Sequence, residues 1–163
     1  MRADITWWLE LFQSSNTIQE SASHHRANSH YAFFATDACT SWGMGGFMGG
    51  DSFKESWTQL AQNYAQQAIF PNRNEPLGRG HVNYLELFAA YWALCKWGRE
   101  LAEHLVVLNI DSMVALYCLQ SMSSKTLVFI PLLRKIAELP LQHDIRLKPT
   151  YLTSTPNEHT YLP

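Results

Sequence analysis

Residues 81–97, HVNYLELFAAYWALCKW, carry the reading on which the fold turns. The segment is apolar at nearly every helical position. Such a pattern belongs to a helix covered on most sides, so a central helix is predicted over residues 82–102. One residue breaks the pattern. At helical spacing Glu86 is flanked by Val82, Ala89 and Ala90, with Tyr84, Leu85, Leu87 and Phe88 beside it. Burying an unpaired carboxylate is costly. A buried Lys or Arg, a raised pKa or a metal ion makes it tolerable. The nearest cation on the same helix, Lys96, lies two to three turns away.

Outward from this helix the chain alternates. Upstream, HYAFFATD (30–37), the glycine-rich WGMGGFMGG (42–50) and SFKESWT (52–58) read as three strands joined by hairpin turns. The glycines of the second mark a strand that another backbone or a ligand approaches closely. Residues 59–80, with PNRNEPLGRG, read as a surface loop. Downstream, HLVVLNID (104–111) is a buried strand, 112–122 and 125–140 are helices with Pro131 as a kink or a new start, and 144–152 is a last strand. Residues 4–20 suggest a short amphipathic helix and 21–29 a polar linker. His24 and His25 in that linker have no partner ligands at motif spacing and read as solvated. The order βββαβααβ predicts an α/β domain over 30–163, a mixed five-stranded sheet with three antiparallel strands, parallel additions and helices on both faces.

Two strands end on acids, Asp37 after YAFFAT and Asp111 after LVVLNI. Strand ends at the crevice of an α/β sheet are favoured places for ligand chemistry. Alone, Asp37 reads equally as a turn former and Asp111 as the N-cap of the next helix. Together with Glu86 they suggest more. Carboxylates that converge repel one another unless a cation sits between them. Mg²⁺ or Mn²⁺ takes oxygen ligands and keeps waters. Two such ions about 3.5–4 Å apart form the usual apparatus of phosphodiester displacement.

Length and composition bound the alternatives. The chain has 163 residues, 47% of them hydrophobic, with six Trp and a net charge of −2. It is long enough for one globular core. No Lys/Arg stripe advertises strong binding to a phosphate backbone. No apolar run reaches the ~18 residues of a membrane span, and MRADITWWLELF lacks the pattern of a secretory signal. Cys39, Cys95 and Cys118 fit no zinc spacing and read as reduced thiols of an intracellular protein, cytoplasmic or nuclear.

Three motifs occur in order: TDACTSWGMGGFMGG, VNYLELFAAYWAL and LNIDSMVAL. Together they resemble type 1 ribonuclease H, and most of all the ribonuclease H domains of retrotransposon reverse transcriptases of the DIRS-like tyrosine-recombinase elements. Those carry an upstream WWL, here Trp7, Trp8 and Leu9. The resemblance covers about residues 30–163. It implies a ribonuclease H-like fold and hydrolysis of the RNA strand of RNA–DNA hybrids by two Mg²⁺ or Mn²⁺ ions. Asp37, Glu86 and Asp111 are then the metal-binding carboxylates. Asn83, Ser112 and Trp42 are candidate nucleic-acid contacts, and an adjacent reverse-transcriptase polymerase domain is the implied partner.

The tail departs from the pattern. Tyr151 stands where the family has a loop His, and Tyr161 where it has a fourth Asp, while PNE (156–158) keeps the register. A protonated phenol is a poor Mg²⁺ ligand. Glu158 and His159 are the nearby candidates to replace it. The second reading is therefore a ribonuclease H-like module that binds or scaffolds without cutting.

Other prominent residues have plainer readings. Trp92 and Trp97 are expected in the core, Trp7 and Trp8 in packing, and His81 and His104 at caps or on the surface. Trp42 and Phe47 read as core, with stacking on nucleic acid as the alternative. Asn83 reads as a helix N-cap or as a contact to a hybrid's minor groove.

Overall fold

The computed structural model describes residues 30–64, 67, 69–70 and 80–152. The expected helix at 4–20, the linker, Trp7, Trp8, Glu158, His159 and Tyr161 lie outside the described residues.

Among the described residues five strands and four α-helices follow in the order β1 (His30–Ala38), β2 (Gly43–Met48), β3 (Asp51–Ser56), α1 (Trp57–Tyr64), α2 (Gly80–Trp97), β4 (His104–Ile110), α3 (Met113–Ser121), α4 (Ile130–Gln142) and β5 (Arg146–Tyr151). They build one mixed sheet in the order β3-β2-β1-β4-β5. β1, β2 and β3 pair antiparallel, while β4 lies parallel to β1 and β5 parallel to β4. This is the predicted α/β architecture. No helix among the described residues is long and apolar enough to cross a membrane.

The hairpins follow from glycine. The β2–β3 turn is Gly49-Gly50, with Gly49 at φ 58°, a conformation that suits a two-residue hairpin loop. At Gly43 the partner strand comes so near that a Cβ would overlap the Glu55 carbonyl oxygen. The close backbone approach expected of this strand is thus met at Gly43.

The loop predicted for 59–80 is corrected at its start, where α1 forms. Its signal is local. The Ser56 hydroxyl accepts from the Gln59 amide at 3.2 Å and donates to the Gln59 side chain at 3.0 Å. Ser56 is thus the N-cap, and its hydroxyl also holds the Gln59 side chain. Trp57 and Leu60 anchor the helix in the core. The central helix also ends earlier than 102, at Trp97, where the Gly98 amide closes onto the Leu94 carbonyl at 2.8 Å. Pro131 marks a new start, at the first turn of α4, where a missing N–H is harmless.

The core forms where α2 crosses the sheet. Trp97 is fully buried between Phe34 of β1 and Phe53 of β3, with ring centroids 5.7 and 5.4 Å away. Its indole N–H donates to Asp51 at 2.7 Å. Lys96 meets the same carboxylate at 3.5 Å, so the one cation of the helix is engaged far from Glu86. Val106, Leu108 and Ile110 of β4 complete the buried face. Ile110→Val removes one methylene just before Asp111. It is expected to lower stability by about 0.5–1.5 kcal/mol in urea unfolding.

Helices on both faces are expected from the sequence. Among the described residues burial marks one face only. On the other, Tyr31 and Phe33 of β1 and Phe47 of β2 are 64, 58 and 60% exposed.

Candidate metal centre

The parallel pairing of β1 and β4 sets the site. Ala35 is in register with Asn109. Two residues further along both strands stand Asp37 and Asp111, so the two acids emerge side by side at one end of the sheet. α2 brings the third from beneath. Glu86, in its second turn, is 2% exposed, and the amide of Ala38, the residue after Asp37, donates to its Oε1 at 3.0 Å. One ligand atom from each of the three acids falls within 4.8 Å of the others. Asp37 and Asp111 are exposed and Glu86 is buried, so the cluster has a wet side and a dry side.

The dry side is electrostatically unsatisfied. Glu86 Oε2 is buried without a donor. Burial raises the Glu86 pKa to about 8, the negative charges of Asp111 and Asp37 add to the rise, and the Ala38 amide opposes it. Two neighbouring carboxylates can be joined only by a shared proton or by a cation. Metal-free, Glu86 therefore holds a proton at neutral pH and leans on Asp37. With a cation present, the same oxygens become ligands. An all-oxygen donor set suits a hard ion such as Mg²⁺ or Mn²⁺. The acidic triad is thus able to hold a metal ion, and a buried oxygen lacking a partner is what such an ion would satisfy.

Two sequence readings change at the rim. The cap of α3 is Ser112, not Asp111. The Ser112 hydroxyl accepts from the Ala115 amide at 3.2 Å and donates to Asn83 Oδ1 at 2.9 Å. Asn83 lies inside the first turn of α2, not at its cap, and its acceptor is spent on tying α2 to the start of α3. This frees Asp111 from capping and holds it near Glu86. A Ser directly after a strand-ending Asp, with an apolar run behind it, was the available signal. Ser112→Ala is expected to reduce stability by about 1 kcal/mol, read from the urea midpoint.

Trp42 and Phe47 are exposed, against the core reading. Phe47 sits on β2, whose opposite face carries Met44 into the core, and Trp42 stands just before that strand. A cleft of about 560 Å³ opens beside Asp37, lined by Trp42, Gly45, Phe47 and Lys54 among others. The Lys54 ammonium lies 4.5 Å from the centre of the Trp42 ring, a cation–π pair the sequence did not announce. Trp97 is core as expected, and Trp92 is partly buried, packed against the core cluster beside Tyr64 and Phe88. His104 is half-buried, its Nδ1 2.7 Å from the Ala102 carbonyl oxygen. Tyr151 ends β5, exposed, in register with Ile110. Cys39, Cys95 and Cys118 are all unbridged.

No protein-family model, curated protein or solved structure matches the chain.

Proposed function

We propose that this chain has a ribonuclease H-like fold and hydrolyses the RNA strand of RNA–DNA hybrids with two Mg²⁺ or Mn²⁺ ions, as an intracellular domain of a retroelement reverse transcriptase beside its polymerase domain. The observation that carries the reading is the convergence of Asp37, Glu86 and Asp111 within 4.8 Å, on the three motifs that resemble ribonuclease H. The strand order β3-β2-β1-β4-β5 is compatible with that fold.

The residues divide the work by their surroundings. Asp37 and Asp111, exposed at the strand ends, face incoming ligand. Glu86, held by the Ala38 amide, fixes the dry wall and gives up its proton when a cation is bound. Bound divalent ions supply charge stabilisation and an activated water for phosphodiester hydrolysis. The exposed Trp42 and the nearby Lys54 offer a stacking surface and a positive charge beside the acids, suited to a nucleic-acid strand.

A labelled RNA–DNA hybrid incubated with the chain in Mg²⁺ and in Mn²⁺ tests the reading. Cleavage of the RNA strand alone supports it, and no product in either metal sinks it. Tyr151 favours one second reading, a ribonuclease H-like module that grips hybrid without cutting. A phenol stands at the end of β5 where the family has an imidazole. Hybrid binding without cleavage in the same experiment selects this alternative.

A further inference from the structure

The second face of the sheet needs a cover. Tyr31, Phe33 and Phe47 stand exposed on adjacent strands, and the pairings Tyr31↔Leu105 and Phe33↔Val107 extend the apolar surface across β4. Parallel strands are normally buried on both faces, and β1, β4 and β5 form the parallel part of this sheet. Contiguous exposed aromatics of this kind mark an interaction surface.

We propose that the N-terminal segment of the same chain, residues 4–12, docks on this face through Ile5, Trp8, Leu9 and Phe12. Three observations favour this occupant. The first is pattern. In DITWWLELF those four residues fall at i, i+3, i+4 and i+7, one stripe of a helix. The second is reach. The polar linker 21–29 joins β1 at His30, next to Tyr31, and nine residues span up to about 30 Å, enough to fold back across the sheet. The third is charge. The segment carries Asp4 and Glu10, and the apolar surface is bordered by the exposed Lys148 of β5. By contrast, residues 153–163, TSTPNEHTYLP, offer only Tyr161 and Leu162 as large apolar side chains. This proposal does not depend on nuclease activity.

The test uses the full chain with a photoreactive benzoylphenylalanine in place of the exposed Phe33. Illuminated in dilute solution, the protein is expected to cross-link within one chain, and peptide mapping is expected to place the link in residues 4–12. The combined change Ile5→Ser, Trp8→Ser and Phe12→Ser is expected to cut that yield at least about fivefold, since it removes three of the four apolar side chains of the stripe. Links only between chains would assign the face to a second copy. Links to residues 153–163 would assign it to the other terminus. Either outcome overturns the proposal, as does the absence of any link to 4–12.

Discussion

Glu86→Gln is expected to lower hybrid cleavage by about 10²–10³-fold, the loss typical when charge stabilisation of a transition state is removed. The change is nearly isosteric, so the effect is electrostatic. Gln keeps an oxygen to accept from the Ala38 amide, now at 3.0 Å from Glu86 Oε1. Its NH₂ supplies the donor to Asp37 that a shared proton supplies in the parent. The metal-free variant is therefore expected to be at least as stable as the parent at pH 8. That combination separates the two roles of the residue. A structural acid would show the reverse, with stability lost and activity reduced only in proportion. Activity within about tenfold of the parent would contradict the assignment of Glu86 as a ligand.

The metal-free protein is expected to lose stability as pH rises from about 4.5 to about 8. The folded chain holds the Glu86 proton up to about 8, whereas the unfolded chain releases it near the ordinary 4.5. Between those values the native state binds more protons, so rising pH favours unfolding. The full shift corresponds to at most about 5 kcal/mol, since each unit is worth about 1.4 kcal/mol. Denaturant unfolding in chelator at pH 5, 6.5 and 8 measures it. The slope should flatten in Glu86→Gln. Mg²⁺ acts oppositely. Its binding displaces the proton, so its affinity should rise toward pH 8. At 100 times its Kd it restores about 3 kcal/mol. A metal-free stability that rises from pH 5 to 8 would mean that Glu86 is ionised in the folded chain.

Much of this was legible in the sequence because its signals are local and strong. The apolar helix around Glu86, the two strand-ending acids and the glycine hairpin each follow from a short pattern. Their meeting was legible only through the order of the elements. The parallel register of β1 and β4 puts Asp37 level with Asp111, and a register is a tertiary fact. What misread were residues whose neighbours are distant in sequence. Trp42 and Phe47 look like core by composition, but Phe47 is on the open face of β2 and Trp42 stands exposed just before that strand. Asn83 looks like a cap until Ser112, 29 residues away, claims its oxygen. The helix α1 was missed for a different reason. Its Ser56 cap was readable, but the Pro- and Gly-rich stretch that follows outweighed it.

The central claim, that Asp37, Glu86 and Asp111 form one divalent-cation site, is tested most directly by anomalous diffraction from crystals soaked in Mn²⁺. The expected result is an anomalous peak in contact with a carboxylate oxygen of each of the three residues, lost in Glu86→Gln. A map with no peak among these carboxylates at saturating Mn²⁺, or with peaks only elsewhere on the molecule, would contradict it.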